Sequence, residues 1–197
     1  MKNINYTIKF HTYWHCGSGL SKGADLDSLV VKDSNGLPFV PGKTIKGLLK
    51  EAVEDIRGFL RKGEDDTFKG FFGYFNDKKV LSNAETIEKN MLRGTGFFTN
   101  AELSEKEKNA IVSNKAQSFL YASIASTALE ENGVAKEHSL RTMQVVVPCE
   151  LNGEILNVPE ELYDELVQAL KYIKRLGQNR NRGLGRCTFQ VEEGGKK

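Results

Sequence analysis

The order of periodicities along this chain predicts an α+β fold. Three observations carry that prediction. Apolar and polar residues alternate near the N-terminus, two later stretches repeat apolar residues at helical spacing, and short apolar segments bounded by turn formers lie between and after them. Read in order they are strand, helix, strand, strand, helix, strand. That is the split βαβ, or ferredoxin-like, arrangement also used by RNA-recognition domains.

Ile4, Tyr6, Ile8, Phe10 and Trp14 share one parity within residues 3–15, while Asn5, Thr7, Lys9, His11 and His15 share the other, the pattern of a half-buried strand. Residues 16–42 form a long glycine-rich loop with Pro38 and Pro41, and a short strand is expected over Ser28–Lys32. Apolar residues at 45, 48, 49, 52, 53, 56, 59 and 60 make one face of a helix over Lys43–Leu60. Residues 61–93 are expected to form an insertion that packs on the core, with an aromatic patch at Phe68, Phe71, Phe72, Tyr74 and Phe75. Thr95–Leu103 reads as a strand and Lys115–Glu131 as helix or irregular insertion. Leu140–Leu151 reads as a strand, followed by a hairpin turn at Asn152-Gly153. Pro159 opens a second amphipathic helix, carried by Leu162, Leu166, Ala169, Leu170, Ile173 and Leu176 and stopped at Gly177. Gly185–Val191 is the last strand and 192–197 a tail. The whole is read as one domain over 1–197, a βαββαβ core with insertions at about 61–93 and 104–140.

Composition narrows the function. At 197 residues with 39% hydrophobic and 27% charged content, the chain suits one folded domain. The net charge of +2 says little, but Lys171, Lys174, Arg175, Arg180, Arg182 and Arg186 fall in a stretch without an acidic residue, which fits a phosphate-bearing partner. Cys16, Cys149 and Cys187 lack zinc-site spacing and are odd in number, so neither disulfides nor structural zinc is expected and a reducing cytoplasm is. Neither a signal peptide nor a membrane span is expected from the apolar runs.

Three segments carry chemistry. Leu176–Arg186 joins the second helix to the last strand. Its Gly177, Gly183 and Gly185 permit close backbone approach, and Arg180, Arg182 and Arg186 bring planar phosphate donors. Leu37–Lys50 delivers a helix N-terminus behind Pro41-Gly42, with first-turn amides and Lys43, Thr44 and Lys46 as donors. Its Gly-Lys-Thr is not a P-loop, because Leu37 stands where the first glycine of that motif belongs. The third segment, Trp14–Asp33, holds His15 and the carboxylates Asp25, Asp27 and Asp33. A carboxylate there suits a magnesium ion or an attacking hydroxyl, and His15 suits a phosphate donor or an acid/base. Turn formation and capping are the alternative use of all these residues.

Read together, the segments resemble the RAMP superfamily backbone subunits of type III CRISPR effector complexes. His15-Cys16-Gly17-Ser18-Gly19 resembles the family's His-x-Gly-Gly, and Leu26-Asp27-Ser28-Leu29-Val30-Val31-Lys32-Asp33 its Ile-Asp-x-Pro-Val-x-(Lys/Arg)-Asp. Pro38-Phe39-Val40-Pro41-Gly42-Lys43-Thr44-Ile45-Lys46-Gly47 resembles Pro-x-Ile-Pro-Gly-Ser-Ser-Leu-Lys-Gly, and the loop from Leu176 to Arg186 resembles the family's glycine-rich loop. Leu29 replaces a proline, Lys43-Thr44 replaces two serines, and the first motif has its own glycine pattern. The resemblance implies a subunit that stacks with neighbouring copies or related subunits along CRISPR RNA, with a thumb-like hairpin that kinks the guide–target duplex. Glu130–Arg141 is the candidate for that hairpin. It further implies metal-dependent cleavage of target RNA by Asp27, with Mg²⁺ the expected ion, and RNA contacts at His15 and Lys46. Two alternatives stay open: a subunit that binds RNA without cutting, and a guide-processing nuclease that works without metal through His15.

Overall fold

The computed structural model describes residues 1–21, 26–63, 65–75, 91–128 and 130–192. Its main sheet joins β1 (Lys2–Phe10), β4 (Phe97–Phe98), β7 (Glu150–Val158) and β8 (Cys187–Val191) in the antiparallel order β4-β7-β1-β8. Two helices, α1 (Gly42–Phe59) and α4 (Glu160–Tyr172), complete the ferredoxin-like core. The predicted α+β order is therefore the observed one.

Alternation drives β1 into the centre. Ile4, Tyr6, Ile8 and Phe10 are buried, and Ile8 stands opposite both Leu151 and Phe189. Ile45, Leu49, Ala52 and Val53 of α1 and Leu162, Leu166, Ala169 and Leu170 of α4 cover this face. The predicted strand stops five residues before its expected end at residue 15, because the backbone bends at His11 and Thr12. Trp14 nevertheless pairs with Val146 through Trp14 N–H to Val146 O at 3.1 Å and the reciprocal bond at 2.8 Å.

Four expectations change. The stretch 115–131 contains a 3₁₀ turn, Gln117–Leu120, and then strand β5 (Tyr121–Ser126), which pairs with β6 (Arg141–Val146) as a projecting hairpin. The predicted strand 140–151 is two strands, β6 and β7, and Asn152-Gly153 lies inside β7 rather than in a turn. Gly153 faces Tyr6 across the ladder, and a Cβ there would lie 2.6 Å from the Tyr6 ring carbon Cζ. The glycine makes room for an aromatic ring. The second helix ends at Tyr172, four residues early, because Arg175 and Leu176 extend to pair with Arg186 and Gly185. Ser28–Lys32 makes only isolated bridges.

The insertion at 61–93 holds α2 (Asp66–Phe72) and the short pair β2 (Gly73–Phe75) and β3 (Met91–Arg93). Phe68, Phe71 and Phe72 are buried in the core, whereas Tyr74 is exposed. The other insertion carries α3 (Glu105–Ser113), started by a capping box between Ser104 and Glu107.

One buried ion pair ties the helices together. Arg57 is 2% exposed; its Nε and Nη2 donate to the two carboxylate oxygens of Glu165, each at 2.7 Å. Nη1 donates to Gly63 O at 3.2 Å, and the guanidinium lies over the Phe68 ring, 4.6 Å from its centroid. The fork thus joins α1, α4 and the start of the insertion. Asp65 Oδ2, half-exposed, also lies 3.3 Å from Nη2. Glu165→Ala therefore leaves the buried guanidinium only this more exposed partner and is expected to lose about 3 kcal/mol, the low end for breaking a buried pair. The double change Arg57→Met, Glu165→Leu is expected to recover most of it. Urea unfolding of the three proteins checks both outcomes.

Candidate functional site

The loop between α4 and β8 is built to touch the first segment. Gln178 N–H donates to His15 O at 2.9 Å and Gly185 N–H to Tyr13 O at 2.7 Å. Gly177 has φ +97° and Gly185 φ +67°. A Cβ on the former would collide with His15 O, and one on the latter with Leu176 O. Gly183, φ +91°, closes the 3₁₀ turn Arg180–Arg182 and faces open space.

This seating leaves a groove of about 350 Å³ beside the start of α1. His15 and Gly17 contribute from the first loop, Lys43 and Thr44 from the helix, and Gly177 and Arg180 from the last loop. Two segments more than a hundred residues apart in the chain therefore wall one groove. Lys46, Arg182, Arg186, Gly183 and Gly185 are outside its lining. Lys46 is half-buried, and that burial, followed by the charge of Lys50, lowers its pKa. Arg182 and Arg186 are exposed; the Arg186 backbone bonds to Thr12 and His11.

The helix N-terminus supplies fewer amides than expected. Gly42 N–H donates to Asn100 Oδ1 at 3.0 Å and Thr44 N–H to Pro41 O at 2.8 Å. The Lys43 ammonium, which is exposed, and the Thr44 hydroxyl are the side-chain donors on this side of the groove. Across from them, Arg180 Nη2 lies 3.3 Å from Glu51 Oε1.

His15 forms the floor and is fully buried. Its Nδ1 is 2.6 Å from Gln144 O, an atom that only accepts, so Nδ1 carries the proton. Nε2 then accepts from Ser28 Oγ at 3.1 Å. Burial, opposed by the Gln144 carbonyl, lowers the histidine pKa, so the neutral ring is the resident form. Burial also pushes the neighbouring Cys16 thiol up to about 12, which keeps it protonated and unreactive.

Asp27 is exposed beside this floor. Its Oδ2 accepts from Thr142 N–H at 2.7 Å, and its own N–H donates to Thr142 O at 2.9 Å. Ser28 O accepts from Gln144 N–H at 3.0 Å. The first loop thus joins the edge of β6 and hands a hydrogen bond on to His15. Asp25 lies outside the described residues. Among the described residues, no three histidine, cysteine or carboxylate side chains group to hold a metal.

Sequence reasoning missed Ser28, Gln144, Gln178 and Glu51. Only Glu51 had an available signal: residues 44, 48 and 51 fall on one helical face.

The chain matches the family model of the RAMP superfamily over residues 7–188. No curated protein matches it. Among solved structures, it is similar to a chain of the type III-B Cmr-β complex bound to cognate target RNA, with TM-score 0.68, 10% identity, and 97% of each chain covered. A chain of the apo state of Cmr-β gives TM-score 0.65 at 11% identity, covering 98% of each. A chain of a type IV-B CRISPR complex gives 0.58 at 12% identity, covering 100% of this chain and 92% of that one. Among the described residues, no helix is long and apolar enough to cross a membrane.

The buried histidine sets a pH dependence. Its folded pKa lies below the ordinary 6.5, so around that pH the unfolded chain binds more protons than the folded one. Stability is therefore expected to fall as pH drops through 6.5 and to keep falling until the folded pKa is passed. Urea midpoints measured across this range should show the slope in the native protein and a flatter line in His15→Gln.

Proposed function

The chain belongs to the RAMP superfamily, and on that premise we propose that it is a CRISPR RNA-binding subunit of an effector ribonucleoprotein, with Asp27 placed for cleavage of guide-paired target RNA. The observation that carries the proposal is the single groove between Lys43-Thr44 and the Gly177–Arg180 loop. Ammonium, hydroxyl and guanidinium donors converge there from two sides, which suits phosphate oxygens. Such contacts fix the register of a strand without reading its bases. That is the chemistry a subunit needs if it must accept any guide sequence.

The similarity to chains of Cmr-β and of a type IV-B complex supports a place beside other subunits along that RNA. The β5–β6 hairpin, whose far end at 130–138 is exposed, is the arm that would reach across a guide–target duplex. It includes the whole of Glu130–Arg141, the segment expected to act as the thumb.

Asp27 stands where this arm meets the groove floor. Mg²⁺ is commonly held by one or two carboxylates with RNA phosphates and water completing its shell. A single exposed aspartate therefore fits an ion that arrives with the RNA. Such an ion would stabilise charge on the phosphate being cut. The chain's own part is to hold the RNA against the floor and keep Asp27 fixed through Thr142. His15 does not suit the role of general base toward RNA, because its ring is fully buried and its one acceptor nitrogen is engaged by the Ser28 hydroxyl.

A second reading, binding without cutting, is favoured by one observation: the Asp27 carboxylate already serves the Thr142 amide. Two measurements separate the readings. Lys43→Ala with Arg180→Ala is expected to weaken RNA binding about tenfold or more and to lower the slope of log affinity against log salt by about one for each phosphate no longer held. Asp27→Asn, which keeps an acceptor for Thr142, is expected to abolish Mg²⁺-dependent cleavage of guide-paired RNA while binding stays within about twofold. Wild-type protein that binds but never cuts would establish the second reading.

A further inference from the structure

A second groove continues from the first. It has a volume of about 500 Å³ and shares Leu48, Glu51 and Arg180 with its neighbour. Its far wall is the end of α4, where Tyr172, Lys174 and Arg175 line it. Tyr172 is 47% exposed, a large aromatic ring open to solvent at the last residue of a helix. Arg180 is the hinge point: it faces both grooves, and Glu51 holds its guanidinium at 3.3 Å. Its carbonyl accepts from Arg175 Nη1 at 3.3 Å, so the two arginines are fixed relative to each other. Lys174 spends one of its three ammonium protons on Lys171 O at 2.6 Å.

The lining holds three cations, Lys174, Arg175 and Arg180, against two carboxylates, Glu51 and Asp55. Glu51 is occupied with Arg180, which leaves Lys174 and Arg175 against the one carboxylate of Asp55 and the lining net positive. An exposed aromatic face flanked by cations that can hold a backbone is the combination by which proteins grip single-stranded nucleic acid. A protein neighbour would be served by the ring alone; the adjoining cations, continuous with a phosphate groove, favour a nucleotide.

We propose that this second groove is a single-nucleotide extension of the RNA track, in which an unpaired base stacks on Tyr172 while Lys174 and Arg175 hold its phosphate. The extension rests on the reading of the first groove as an RNA site. It gives the subunit an exit in which the strand leaves the Lys43–Arg180 groove, passes Arg180 and is clamped at the C-terminal end of α4. Glu51 sits at the junction and keeps Arg180 extended between the two grooves.

Fluorescence anisotropy with the full chain tests this, using a labelled single-stranded oligouridylate and an otherwise equal oligomer in which the bases are abasic. Tyr172→Ala is expected to weaken oligouridylate binding about tenfold, and Tyr172→Phe, which keeps the stacking face, to stay within about twofold. The difference between wild type and Tyr172→Ala should disappear on the abasic oligomer, a result that mere loss of packing would not give. If Tyr172→Ala binds oligouridylate as wild type does while Lys43→Ala is weakened, the extension is overturned and the first groove stands. If Lys43→Ala is also unchanged, or wild type does not bind, the underlying reading fails and the extension with it. A change in Tyr172→Ala confined to assembly size in light scattering would assign the ring to a protein contact and likewise overturn it.

Discussion

Everything at the groove depends on the backbone of the last loop lying directly against the backbone of the first. The contact is made without side chains. Gly177 rests against the His15 carbonyl, and within the last loop Gly185 rests against the carbonyl of Leu176, each at a positive φ. Hydrogen bonds from Gln178 to His15 and from Gly185 to Tyr13 then fix the spacing. A methyl group at either glycine would force these strands apart, and Arg180 would no longer face Lys43. The positions of the cations follow from the places where side chains are missing.

Packing supports that contact from below. The sheet and the two helices bury a continuous cluster from Ile4 to Phe189, with Leu176 and Cys16 at the edge nearest the groove. The Arg57–Glu165 fork fixes α1 against α4, and these two helices carry the groove's opposite walls at their ends. A buried ion pair adds little net stability over a well-packed apolar pair, but it allows few arrangements. Here it sets how the start of α1 sits relative to the loop after α4. Glu51 plays a related part in water: it holds a long arginine in place without neutralising the lysine across from it.

Much of this architecture is legible in the residues. The alternation of β1, the stripes of α1 and α4, and the pairing of glycine with arginine in the last loop all express local rules, and the structure keeps them. The departures come from long-range partners. Asn152-Gly153 has the composition of a turn, yet Gly153 answers to Tyr6, a residue almost one hundred and fifty positions away. Strand β5 carries only weak strand character in Tyr-Ala-Ser-Ile-Ala-Ser and owes its form to β6. His15 has the parity of a solvent-facing strand residue. The bend at His11-Thr12 ends that parity, and Trp14, His15 and Cys16 are all buried in succession. The sequence motif marks this histidine as special without revealing that its ring is spent on Ser28 and Gln144.

The linkage from Asp27 and Ser28 to Thr142 and Gln144 gives the projecting hairpin a particular mechanical character. Its root is not a free hinge, because two isolated bridges tie β6 to the first segment, Ser28 to Met143 in parallel register and Trp14 to Val146. A load applied at the tip is borne at two anchorages, one under the groove floor and one in the core. The hairpin is therefore held as a cantilever, and of its anchoring bonds the Asp27–Thr142 pair lies nearest the tip.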